Sequence, residues 1–142
     1  MPLILEGIAT TENADESVNV SPMGPIVDPS MSKLHLRPYQ TSTTYKNLKR
    51  TGHGVFHVTD DVEMIARAAV GDLSPAPTFR RHAATGSSIL ADACRWYAFE
   101  VVSLDDSHER TSINCRVMDS GRLRDFFGFN RAKHAVIEAA IL

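Results

Sequence analysis

Between Arg95 and Met118 the sequence spells out two β-strands and the turn that joins them. Arg95 to Leu104 carries Trp96, Tyr97, Phe99, Val101 and Val102, the aromatic and β-branched side chains that suit a pleated surface. It is apolar at both alternating positions, so both of its faces are expected to be covered. Asp105-Asp106-Ser107-His108-Glu109 is turn material, and Thr111 to Met118 returns as the antiparallel partner, closed by Asp119-Ser120-Gly121. A hairpin of this length commits a chain of 142 residues to an antiparallel sheet.

Shorter strands precede it. Leu3 to Thr11 reads as one strand, Glu12 to Ser17 as a polar turn, and Val18-Asn19-Val20-Ser21 as the returning strand. Pro22, Pro25 and Pro29, with Gly24 among them, end regular structure, and Gly24 lets another group approach its backbone. Lys33 to Arg37 alternates, with Leu34 and Leu36 inward and His35 and Arg37 outward. A short helix over about Thr44 to Arg50 puts Tyr45 and Leu48 on one face and stops at Gly52. Val55 to Thr59 is a fourth strand, and Asp60 or Asp61 caps a helix from Val62 to Val70 that Gly71 ends.

Gly71 to Gly86 reads as a long loop with a basic patch, Arg80-Arg81-His82. Asn130 caps a last helix reaching Leu142, with an apolar stripe of Ala132, Ala135, Val136, Ala139 and Ala140. That helix ends without a cap, so the natural chain is expected to continue with a further helical part. The sum is a mainly β domain over residues 1–142, a six-stranded antiparallel Greek-key barrel with short outer helices.

Composition narrows the function classes. The formal net charge is −2, from 15 basic and 17 acidic residues, and the basic ones are scattered, so nothing draws the chain to nucleic acid or an acidic membrane. No apolar run is long enough to span a bilayer, and Met1 to Leu5 lacks the basic start of a secretion signal. Cys94 and Cys115 do not make a disulfide framework; a cytoplasmic protein with two reduced, buried thiols is expected. His53 and His57 have no Cys or carboxylate at ligand spacing, so no metal site is expected. There is no Gly-x-Ser-x-Gly elbow and no Walker or dinucleotide fingerprint, and no catalytic residue is assigned.

What remains is a binding site made of backbone and hydroxyl groups. Thr41-Ser42-Thr43-Thr44 places four hydroxyl residues before a helix, with Arg37 just upstream. A helix start has unpaired N–H groups and partial positive charge, and hydroxyls and a guanidinium add donors suited to a phosphate. An ordinary Ser/Thr cap explains the same residues and stays open at this point. The strand end Asn19 to Gly24 extends the candidate site, with a flat or apolar moiety along Met23-Gly24, and Gly128-Phe129-Asn130-Arg131 offers a second helix start.

Several of these stretches resemble a known family. Glu6 to Thr11 and Val18 to Pro25 are similar to the first two strands of flavin-reductase-like split barrels. Leu36-Arg37-Pro38-Tyr39, Ser42-x-Thr44-Tyr45-x-Asn47-Leu48, Val58-Thr59-Asp60-Asp61-Val62 and the block Phe127 to Ala140 resemble the flavoprotein family called domain of unknown function 447, over nearly the whole chain. The resemblance implies an FMN-binding split β-barrel, usually a homodimer with FMN at or near the subunit interface. By position it implies Thr10, Thr11, Met23 and Gly24 as flavin neighbours, Arg37, Ser42, Thr43 and Thr44 as phosphate neighbours, and Asn130 and Arg131 as further candidates. It implies a flavin-dependent oxidoreductase of unknown substrate, drawing on NAD(P)H or another reduced electron donor. The alternative is a non-catalytic FMN-binding sensor or carrier, and the residues do not decide between the two. His57 stands where flavin-reductase-like proteins often carry Asn, so the resemblance implies no polar flavin contact there.

Overall fold

Strand-forming runs punctuated by Pro, Gly and Asp-Ser turns give short strands and few helices. The computed structural model describes residues 2–141. In chain order these form β1 (Leu3–Ile4), β2 (Gly7–Glu12), β3 (Val18–Met23), β4 (Ile26–Val27), β5 (Lys33–Leu36), α1 (Thr43–Thr51), β6 (His53–Val58), α2 (Val62–Val70), β7 (Phe79–Arg81), β8 (Ser88–Leu90), β9 (Arg95–Asp105), β10 (Ser112–Arg122) and α3 (Arg131–Ile141). Eight strands make one antiparallel sheet in the order β1-β4-β5-β10-β9-β6-β2-β3, while β7 and β8 pair separately.

Two short links curl that sheet into a barrel. Leu5-Glu6 joins β1 to β2 and Gly24-Pro25 joins β3 to β4, yet the joined strands sit toward opposite ends of the sheet order. Each link spans roughly 7–10 Å even when extended, so the two ends must lie side by side. The Leu5 N–H donates to the Pro25 carbonyl there at 3.2 Å. The barrel is split at this place, where no strand ladder crosses.

The expected antiparallel barrel with outer helices is therefore the fold, with more strands than the six expected. Leu3 to Thr11 is two strands, because the chain changes partners from β4 to β3 and β6 at Leu5-Glu6. The loop expected over Gly71 to Gly86 contains β7, which pairs with β8. Strands of two or three residues carry too few side chains for a readable alternation.

The inward faces fill the barrel with Leu34, Leu36, Phe56, Phe99, Ile113 and Cys115, and α1 plugs it with Tyr45 and Leu48. Phe56 and Phe99 are fully buried. Truncating either to alanine costs about 3–5 kcal/mol. On the outer side Ile8 packs with Ile65 of α2 and Leu90 of β8, and Val55 and Ala98 pack with Ile89. Coverage of β9 is incomplete, contrary to expectation: Val102 is 66% exposed. The burial of both thiols agrees with their expected structural role, and it pushes the Cys115 thiol up to about 12.

The helix ends follow their caps. Ser42 starts α1 and Gly52 ends it with φ 74°, a left-handed conformation that glycine adopts without strain. Asp61 rather than Asp60 caps α2, accepting from the Met64 N–H at 3.0 Å. Asn130 caps α3 through the Lys133 N–H at 3.1 Å. The stripe expected to bury α3 does not: Ala132, Ala135, Val136 and Ala139 are exposed, and only Ala140 touches a core cluster. Leu142 lies outside the described residues.

Candidate functional site

The helix start after β5 is the first component. The Ser42 hydroxyl accepts from the Tyr45 N–H at 3.1 Å, and the Ser42 N–H donates to the Tyr39 carbonyl. The N–H groups of Thr43 and Thr44 come next, and no acceptor meets them among the described residues. Thr41 and Thr43 have exposed side chains. The Thr43 amide and the Thr41 and Thr43 hydroxyls thus stand open at the positive end of a nine-residue helix.

Thr44 differs from its neighbours. It is 2% exposed, and its hydroxyl accepts from Asn19 Nδ2 at 3.2 Å. One turn on, Asn47 Nδ2 donates to the Thr11 hydroxyl at 3.0 Å and to Asn13 Oδ1 at 2.8 Å. Arg50 then bonds the Glu12 carbonyl and Asn47 Oδ1. These contacts lay α1 along the β2–β3 hairpin, with its start directed toward Ser21 and Met23. Asn19, Ser21 and Met23 share one face of β3, a row about 13 Å long at the usual rise of a strand.

Among the described residues, β3 has β2 as its only neighbour in the sheet. Pro22 opposes Ile8 and has no N–H to give, so this pair is not hydrogen-bonded, and the alternation makes Val20 opposite Thr10 and Val18 opposite Glu12 the same. The N–H and carbonyl groups of Val18 and Val20 therefore face the open edge. Pro22 is tolerated because its nitrogen faces the same way.

The sequence-predicted residues fall into separate places. Thr11, Ser42, Thr43 and Thr44 come together through Asn19 and Asn47. The Thr11 and Thr44 hydroxyls face protein amides and support the site from beneath, whereas the buried Thr10 hydroxyl, on the opposite face of β2, donates to the Ser88 carbonyl at 2.6 Å. Met23 and Gly24 lie at the far end of the row. Arg37 is exposed on the outward side of β5 beside His35, whose basicity falls through burial and through the nearby guanidinium. Arg37 makes no side-chain hydrogen bond or ion pair among the described residues. Asn130 and Arg131 lie at the start of α3, away from α1.

Asn130 lines a cavity of about 400 Å³ between α3, β1 and the end of β6. Glu6 lines it too, and the Glu6 carboxylate rests on Gly24: a Cβ at that glycine would come within 2.7 Å of Glu6 Oε1. The row along β3 and the cavity therefore meet at Glu6. The cavity floor is held by Asp60, whose carboxylate takes two bonds from Arg124, at 3.0 and 2.6 Å, and one from the Phe127 N–H. The Arg124 guanidinium, with the Phe127 N–H, holds the Asp60 carboxyl down to about 2, against the opposing effect of burial. Sequence reasoning missed this pair because Arg124 is remote in the chain and Asp60 resembled a helix cap. It missed Asn47 as a bridging residue because a polar residue inside a helix normally faces water.

Two histidines, His57 and His82, are buried within the protein. His57 is fully buried, with Nδ1 donating to the Ile8 carbonyl at 3.0 Å and Nε2 accepting from the Leu90 N–H at 2.9 Å. Burial pushes its pKa down to about 4, and the two backbone partners fix the neutral tautomer. His82 leaves the expected basic patch: it is buried, bonded to Asp119 and Thr85, with its ring against Trp96.

A family model described as protein of unknown function (DUF447), N-terminal domain, matches residues 5–124. Among solved structures, the chain is similar to an FMN-bound DUF447 protein from Methanosarcina mazei, with TM-score 0.81 and 22% identity over 99% of this chain and 74% of that one. It is similar to the styrene monooxygenase flavin reductase of Pseudomonas putida S12, with TM-score 0.67 and 19% identity over 82% of this chain and 80% of that one. An FMN-binding protein from Thermus thermophilus, solved with bound 1-cyclohex-2-enone, aligns with TM-score 0.69 and 14% identity over 87% of this chain and 72% of that one. No curated protein matches the chain in sequence. The shared architecture is the split barrel of the flavin reductases.

Proposed function

The chain belongs to the DUF447 N-terminal domain family, and on that premise we propose that it is an FMN-binding flavoprotein acting as a flavin-dependent oxidoreductase. The observation that carries the reading is the open donor set at the start of α1, directed along β3. The unpaired Thr43 amide and the Thr41 and Thr43 hydroxyls, at the positive end of the helix, suit a phosphate dianion. The edge-facing Val20 N–H and carbonyl suit the alternating donors and acceptors on the rim of an isoalloxazine, and Met23 and Gly24 suit its flat face. Arg37 enters the phosphate site by family position alone, and Asn130 and Arg131 do so likewise for the flavin site.

Bound FMN would supply the electron chemistry, and the chain's residues bind, orient and shield it. Structural neighbours that are flavin reductases favour a reduced nicotinamide dinucleotide as electron donor. A homodimer is part of the same reading, supported by exposed apolar side chains at Val102 and Met118 of the long hairpin.

The test is Thr43→Pro. Thr43 is the first helical residue, where proline is accepted, and Ser42 already has the extended backbone (φ −77°, ψ 148°) required before proline. The variant keeps α1 but removes one N–H and one hydroxyl from the phosphate site. FMN affinity should fall about tenfold or more while riboflavin affinity is unchanged. Equal loss of both ligands, or loss of neither, refutes the phosphate assignment. Anaerobic bleaching of the bound flavin by NADH or NADPH marks an enzyme; a bound flavin that neither donor reduces favours a carrier or sensor.

A further inference from the structure

α3 turns Lys133, Ile137 and Ala140 toward the protein and leaves Ala132, Ala135, Val136 and Ala139 exposed. Asn130, Lys133, His134, Ile137 and Glu138 line the cavity beneath it. An ammonium thus stands on the inward face of the helix, where a helix that only covered a core would carry an apolar side chain. Lys133 Nζ donates to the Asp60 carbonyl at 3.2 Å and lies 4.8 Å from the centre of the Phe127 ring. An ammonium has three protons, so donors remain for a ligand. The walls beside it are apolar, formed by Leu5, Val58 and Ile137. Glu6 and Glu138 also line the cavity, and neither forms an ion pair among the described residues.

We propose that this cavity binds the flavin's reaction partner, and that the partner is an uncharged ring compound whose carbonyl oxygen accepts a hydrogen bond from Lys133. The apolar walls and the volume of about 400 Å³ suit one or two rings. A fixed donor calls for an acceptor on the ligand. The two unpaired carboxylates disfavour an anion, and a cation offers the Lys133 ammonium no acceptor. The cavity reaches the proposed ring end of the flavin site, at Gly24, through Glu6. The identity of the ligand as the flavin's partner rests on the reading of Met23-Gly24 as the ring end, whereas the chemistry of the cavity stands on its own residues.

Calorimetric titration with acetophenone, benzoate and benzylamine holds the ring constant and varies the charge. Acetophenone should bind both the FMN-loaded and the FMN-free protein, with benzoate and benzylamine about tenfold weaker or worse. Lys133→Met should weaken acetophenone about tenfold and leave FMN affinity unchanged. Glu138→Gln, at an exposed position that cannot threaten folding, should raise benzoate affinity. In the loaded protein acetophenone should shift the flavin absorption bands. Benzoate or benzylamine binding as tightly as acetophenone, no heat with any of the three, or an indifferent Lys133→Met or Glu138→Gln overturns the proposal. Binding without a flavin band shift overturns the assignment of the ligand as the flavin's partner. A chain that takes up no FMN but binds acetophenone through Lys133 overturns the flavoprotein reading and not the cavity.

Discussion

Lowering the pH should destabilise this protein well before its carboxylates titrate, and His57 is the reason. The buried imidazole titrates at about 4 when folded, against 6.5 for an unperturbed histidine. Between those values the unfolded chain holds a proton that the folded chain refuses, so stability rises with pH through the window. The contribution is complete above about pH 6.5 and is lost as the pH falls toward 4. Two and a half pH units correspond to roughly 3 kcal/mol, of which about 2.5 kcal/mol separates pH 7.5 from pH 4.5. Asp60 is held to about 2, so its contribution disappears only below the ordinary carboxylate range.

Urea unfolding at the two pH values, followed by circular dichroism, measures the effect. Trp96 fluorescence is a poorer probe, because the His82 ring packs against it. His57→Gln removes the titrating group and keeps a neutral side chain with a donor and an acceptor. It should lower stability at pH 7.5 by about 1–3 kcal/mol, through imperfect partnering of the Ile8 carbonyl and the Leu90 N–H. It should also abolish most of the pH dependence, leaving only what other groups contribute, such as His35, whose pKa is lowered in the same direction. A wild-type protein equally stable at both pH values, or a glutamine variant with the full wild-type slope, refutes the reasoning.

Two further substitutions probe the site. Arg37→Ala should weaken FMN and spare riboflavin if this arginine serves the phosphate; equal affinities for both proteins, read by flavin fluorescence quenching, would exclude Arg37 from the site. Asn47→Leu removes the amide joining α1 to Thr11 and Asn13, and should cost about 1–3 kcal/mol in denaturant unfolding; a change below about 0.5 kcal/mol would mean the bridge does not hold the helix.

Features with a local cause were legible in the sequence. Ser42 and Gly52 bracket α1, Asp61 and Gly71 bracket α2, and the alternation from Lys33 to Arg37 matches the buried Leu34 and Leu36. Features set by distant partners were not. β1 and β4 exist because they pair with each other and with β5, and two residues of Leu-Ile or Ile-Val carry no period. Asp60 needs Arg124, and His57 needs Ile8 and Leu90. The apolar stripe of α3 was visible in the sequence, but its direction was not, because alanine is nearly as acceptable at a helix surface as inside. At the candidate site the hydroxyl run was readable as a cluster; which hydroxyls turn inward depended on Asn19 and Asn47 meeting it in space.

The strand that joins the two halves of the barrel is the last one made. β10 lies between β5 and β9, pairing Leu36 with Ile113 on one side and Leu104 with the same residue on the other. Until Ser112–Arg122 leaves the ribosome, a nascent chain holds two part-sheets, with Leu34, Leu36, Phe56 and Phe99 facing an unfinished interior. Closure joins residues far apart in sequence, so it comes late and all at once. During synthesis the apolar lining of the barrel is therefore an open surface, the kind that chaperones cover and that premature termination would leave exposed for good.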